Sequence, residues 1–145
     1  MMRAVLKPCL LAVVMALGAA SVSHAIELDK VPEAKRSASG LHLTAVEAAQ
    51  MKADLGAKML MIDIRSRAEA MYLGMATATD YLVPFLDFPE FWEWDDRANE
   101  YMQQSNPNFV KDVEARLAAK GLTKDDPVVL ICRSGHRSNA ASGLL

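Results

Sequence analysis

The sequence predicts an α/β fold built on a parallel sheet. Two apolar runs and the helical patterns between them carry this expectation. "KMLMIDIR" (58–65) is apolar through Ile64 except at Lys58 and Asp63, and "VVLIC" (128–132) has three β-branched residues. Continuous apolar runs of this length read as strands buried on both faces, which belong to parallel sheets covered by helices on both sides. The order strand, helix, strand, helix, strand points to the same class.

The first residues are set aside as a targeting segment. "MMRAVLK" carries Arg3 and Lys7 and no acid, and an uncharged apolar run follows at 8–20. Ser23 and Ala25 then supply the small residues of a cleavage site. This is the layout of a secretory signal peptide over 1–25, with Ile26 as the mature N-terminus. The alternative is a membrane anchor, but the run is shorter than the roughly 20 residues a spanning helix needs. The expectation is an exported protein with no stable membrane anchor, periplasmic in a Gram-negative bacterium.

Cleavage changes the charge and thiol inventory. The chain of 145 residues carries 16 basic and 18 acidic residues. Losing Arg3 and Lys7 leaves 14 bases against all 18 acids, a mature charge of −4. No basic excess points to nucleic acid. A hydrophobic content of 52% argues against disorder, and the length fits one domain. Cys9 also leaves, so Cys132 is the single mature thiol. No internal disulfide can form, and a lone cysteine in an oxidising compartment is a liability unless buried or used.

The mature chain then divides in order. Residues 26–40 are polar, mixed in charge and interrupted by Pro32, and read as a lead-in or linker. Residues 41–43 are expected to be a short extended piece feeding a helix. In that helix Thr44 and Glu47 have capping-box spacing, Val46, Ala49 and Ala53 fall roughly on one face, and Gly56 is the stop. After the first strand, Ser66 as N-cap and Glu69 three residues on open a short helix. Residues 81–83 read as a short strand, followed by an aromatic and acidic stretch with both tryptophans. Phe109, Val113 and Leu117 recur at helical spacing, and Gly121 ends that helix. "TKDDP" is a turn before the second strong strand.

Chemistry concentrates at "CRSGHRS" (132–138). Active sites of open parallel sheets lie beyond the carboxyl ends of strands, and Cys132 stands at such an end. "NAASGLL" reads as the first turns of a helix, so the loop links a strand end to a helix start. Backbone N–H groups there face the loop, and the helix dipole adds roughly half a positive charge. Gly135 allows positive φ. Arg133, Arg137 and His136 add positive potential, so the thiolate is favoured. The plain alternative is an inert, buried strand-end cysteine. A metal site is not expected, because His42 and His136 are the only other soft ligands in the mature chain. No cofactor is implied.

"CRSGHRS" resembles the active-site loop of the rhodanese-like sulfurtransferases. "MIDIRSRAE" (61–69) looks like that family's D-x-R strand end with a following acid, and "LTAVEA" resembles its opening strand–helix step. The likeness covers about 41–145. It implies a three-layer rhodanese-like fold with a parallel sheet. It also implies sulfane-sulfur transfer from a small donor such as thiosulfate to a thiol or cyanide-like acceptor, through a persulfide on Cys132. Arg133, Ser134, Gly135, His136 and Arg137 would form the cradle, and Ser138 would begin the helix. Asp63 and Arg65 would be structural, pairing near the loop or with Glu69; the plain alternative is a surface ion pair of little weight.

Two other readings compete. Cysteine phosphatases use a similar thiolate loop, but with five residues between cysteine and arginine, where this chain has the four from Arg133 to His136. Rhodanese-like domains also occur as non-catalytic binding modules. The chain departs from the family at "YLGMATATDYLVPF" and in the aromatic–acidic stretch. That stretch reads either as a packed side wall or as a docking surface for a protein partner through 81–101. The family's sheet has one further strand, between the cysteine-bearing strand and the first. The chain is expected to be truncated at Leu145, to leave a gap in its sheet and to be poorly stable alone.

Overall fold

A computed structural model of the chain describes residues 28–145. The segment 1–25, expected to be a signal peptide, lies outside the described residues. The rest is a mixed helix–strand, α/β structure around a small parallel sheet.

The chain begins with two 3-10 turns, Leu28–Lys30 and Glu33–Lys35. It does not run here as a free linker. Val31 is buried, Arg36 Nε donates to the Val31 carbonyl at 2.8 Å, and Asn139 Nδ2 donates to the Ala34 carbonyl at 3.4 Å. The polar composition of 26–40 hid this docking because it rests on backbone carbonyls and one valine. Residues 41–43 form no strand. The His42 ring accepts from the Ser37 N–H at 3.1 Å and closes a turn instead.

Helix α1, Ala45–Leu55, starts at the predicted capping box: Glu47 N–H donates to Thr44 Oγ1 at 3.1 Å and Thr44 N–H to Glu47 Oε2 at 2.6 Å. Its outward face is the one the sequence singled out. Val46 is 79% exposed, and Ala49 and Ala53 are exposed too. The inward stripe is Ala48, which is buried, with Met51 and Leu55, which are partly buried against the same cluster. Both triplets have i, i+3, i+7 spacing and differ by two residues, a rotation of about 200°. An alanine-rich helix satisfies the pattern in either phase, and the larger Met51 and Leu55 side chains decide it by what they bury.

A 3-10 turn, Gly56–Lys58, leads into strand β1, Leu60–Asp63, whose four residues are all buried. Helix α2, Arg67–Leu73, follows from its own capping box, Ser66 with Glu69. Strand β2, Tyr81–Leu82, returns to the sheet. The chain then leaves as an arm of short antiparallel pairs: β3, Leu86–Asp87, with β6, Gln104–Ser105, and β4, Trp94–Asp95, with β5, Glu100–Tyr101. Helix α3, Phe109–Ala119, buries Phe109, Val113 and Leu117 as its spacing predicted. Strand β7, Val128–Ile131, and helix α4, His136–Ser142, complete the described chain.

The sheet order is β2-β1-β7, all parallel. Alternation along β1 splits the core into two faces. Leu60, Ile62 and Ile64 pack with Phe109, Val113, Leu117 and Ala141 of α3 and α4. Met59 and Met61 pack with α1 through Ala48, Met51 and Leu55. Helices therefore cover both faces, which is why β1 is apolar from Leu60 to Ile62.

Asp80 ties these layers together. Its carboxylate accepts from Lys52 Nζ of α1 and from Lys120 Nζ beyond α3, each at 2.6 Å, and from the Met61 N–H of β1 at 2.8 Å. No local pattern singled this residue out.

Strand β7 pairs with β1 on one edge, and its four apolar residues are only half-buried. An open groove of about 820 Å³ runs beside it, bounded by 41–44, β7 and α4. The 41–43 piece lies across that groove with no ladder partner, so extended pairing has nothing to hold it. Among the described residues no helix is long and apolar enough to cross a membrane.

Candidate functional site

Parallel pairing puts the carboxyl ends of β1 and β7 on one rim, with Asp63 opposite Ile131. Ile64 N–H donates to the Ile131 carbonyl at 2.9 Å, so Cys132 emerges beside Ile64 and Arg65. The cysteine is half-buried and has no disulfide partner.

The loop curls around its sulfur. Gly135, the residue before α4, has φ +92°, a left-handed conformation open to glycine at little cost. That curl turns the Gly135 N–H onto Cys132 Sγ at 3.1 Å. Ser138 Oγ lies 3.4 Å from Sγ and donates to the Gly135 carbonyl at 3.1 Å. The curl also lets another segment approach: a Cβ at Gly135 would lie 3.4 Å from Lys35 Cδ of the lead-in.

Burial pushes the Cys132 thiol up, since it penalises the charged form. Hydrogen bonds from Ser138, Gly135 and Ser134 oppose that, and the balance lies below the ordinary thiol value. The donors around the sulfur thus favour its thiolate form relative to an ordinary cysteine.

Arg137 works at one remove from the sulfur. Its guanidinium grips Glu69 in a two-pronged pair, Nη1 to Oε2 at 2.5 Å and Nη2 to Oε1 at 2.8 Å. Both side chains are largely buried. Glu69 is itself the N3 member of the α2 capping box, accepting from Ser66 N–H at 3.0 Å. The Arg137 hydrogen bonds, with help from Ser66, hold its carboxyl at about 2, and the same pairing raises Arg137. Two strand-to-helix loops are thereby strapped together across the rim.

Asp63 and Arg65 also pair, at 2.5 Å between Oδ2 and Nη2, and Asp63 is almost fully buried. The surface-pair alternative therefore does not describe them. Arg65 Nη2 donates onward to the Gly74 carbonyl at 2.7 Å, pinning the end of α2. Arg65 is raised, chiefly by its bond to Asp63.

Ser134 and Arg133 are exposed on opposite sides of the loop. Ser134 faces the large groove, and Arg133 faces a smaller cavity of about 480 Å³ bounded by Asp63, Arg65, Gly74 and Met75. Cys132 lines both. His136, the first residue of α4, is exposed. Of the residues the motif named, Gly135 and Ser138 reach the sulfur, Arg137 turns to Glu69 instead, and Arg133 and His136 are exposed rather than folded into a cradle. Sequence reasoning missed Lys35, which only the docked lead-in brings near.

No family model, curated protein or solved structure matches this chain.

Proposed function

We propose that the protein is a sulfurtransferase that carries a sulfane sulfur as a persulfide on Cys132, within a rhodanese-like variant of its α/β fold. The observation that carries this reading is the half-buried sulfur, held below its ordinary pKa by inward-facing donors and open to two cavities.

The chemistry balances within that site. The Cys132 thiolate attacks the outer sulfur of thiosulfate, the S–S bond breaks, and sulfite leaves with the bonding pair. The terminal sulfur of the new persulfide is anionic, and N–H donors that serve a thiolate also serve it. A cyanide or thiolate acceptor then attacks that sulfur, and Cys132 returns as thiolate. No proton, metal or redox cofactor is consumed.

A cysteine phosphatase would need a free arginine to clasp three phosphoryl oxygens. Here the Arg137 guanidinium is taken by Glu69, and four rather than five residues separate it from Cys132. Export through the segment 1–25 belongs to the same proposal.

Thiocyanate formation from thiosulfate and cyanide tests it, with Cys132→Ser as control. Activity in the wild type and none in the variant is expected. Equal inactivity of both, each folded by circular dichroism, leaves the binding-module reading in its place.

A further inference from the structure

The arm formed by β3 to β6 plays no part in the cysteine chemistry. Its base is fixed. Asn106 Nδ2 donates to the Pro84 carbonyl at 3.1 Å and to Asp112 Oδ2 at 3.0 Å, while the Phe85 and Phe109 rings meet edge to face at 5.2 Å. On the other side Arg67 Nη1 holds Asp87 Oδ2 at 2.6 Å.

Its outer part is a chain of rings. Phe88 stacks on Trp92 at 4.6 Å, and Tyr101 meets the edges of Trp92 at 5.3 Å and Trp94 at 5.0 Å. Such packing normally closes a core, yet Trp92, Trp94 and Tyr101 remain about half exposed and Phe91 is 78% exposed. An apolar patch of this kind marks an interaction surface.

The charge on the same arm is one-sided. Residues 86–105 hold Asp87, Glu90, Glu93, Asp95, Asp96 and Glu100 against Arg97 alone. Asp87 is paired with Arg67, and Asp95 accepts the N–H groups of Arg97 and Ala98 in its turn. Glu90, Glu93, Asp96 and Glu100 are exposed. Carboxylates next to open aromatic faces suit one kind of group: a cation that stacks on a ring while its N–H donors reach a carboxylate. The molecule already shows this stacking once, with the Arg116 guanidinium 4.8 Å from the Tyr81 ring centre.

We infer that the arm is the docking surface for an arginine-rich segment of a partner protein. Charge decides against the other occupants. A second copy would bring the same acidic arm, and an anionic lipid surface would be repelled. The fixed base means little ordering cost on binding. The inference goes beyond the sulfur chemistry and stands without it.

The only tryptophans in the chain are Trp92 and Trp94, so their emission reports on this surface. The full chain is titrated with a short alternating Arg–Gly peptide and, separately, a Glu–Gly peptide. A saturable change with the Arg–Gly peptide alone, weakening steeply with salt, is expected. Trp94→Ala should weaken binding about three- to fivefold. The combined Glu90→Gln, Glu93→Gln, Asp96→Asn and Glu100→Gln variant keeps every ring and should lose about tenfold at low salt. No response, an equal response to the Glu–Gly peptide, or undiminished binding by the charge variant overturns the inference. So does sedimentation showing a dimer that Phe91→Ala dissolves, which would make the arm a contact between copies.

Discussion

Cys132 shows how opposed effects set the reactivity of one atom. Burial alone would raise the thiol, and three residues of donors bring it back below its ordinary value. Removing one donor leaves burial in place. Ser138→Ala should therefore move the pH midpoint of iodoacetamide alkylation at Cys132 upward, while the wild-type midpoint lies below that of a free cysteine. Mass spectrometry of the Cys132 peptide reads this directly. Glu69 presents the converse case. Its folded carboxyl sits at about 2 against an ordinary 4.5, so its stabilising effect is complete above the ordinary value and disappears as pH falls through about 2. Glu69→Gln should cost about 1–3 kcal/mol in urea denaturation at neutral pH and flatten the acid limb of stability. On the proposed sulfurtransferase reading it should also slow thiocyanate formation, because the Arg137 strap is lost. These two residues stand 68 positions apart. The capping-box spacing revealed Glu69 as a helix start, but a local pattern carries no information about a partner so far along the chain.

Elements were legible where a local cause suffices. Two capping boxes start α1 and α2, and one apolar stripe defines α3. The burial phase of α1 was not legible, because alanines dilute the pattern. Its resolution gives a sharp test. Met51→Ala should destabilise by about 2 kcal/mol or more, whereas Val46→Ala, at 79% exposure, should stay within about 0.5 kcal/mol. Thermal or urea unfolding of the two variants separates the phases. The arm is a second such case. Aromatic and acidic composition marks its surface, but strands of two residues leave no periodic trace, so the pairing of β3 with β6 around β4 and β5 came only with the fold.

At the scale of the molecule, the two edges of β1 are filled and the outer side of β7 is open. Local stability should follow this asymmetry. Native-state hydrogen exchange should protect the amides of β1 most and those of β7 less, since β7 is half-buried and flanked by a groove. Uniform protection across both strands would contradict the arrangement. Asp80 adds a further dependence, because one carboxylate serves α1, β1 and the end of α3. By itself the sequence determined the α/β class, the buried strand, the starts of α1 and α2 and the cysteine loop, though α4 begins at His136, two residues before the Ser138 the motif named. Each follows from side-chain period, cap chemistry or residues adjacent in the chain. Tertiary structure alone decided which face of α1 is inside, that Arg137 turns to Glu69, that the lead-in closes over Gly135, and that Asp80 joins the layers. Those choices rest on packing and on charges that meet only when distant segments fold against one another, and no short-range pattern encodes which of them will meet.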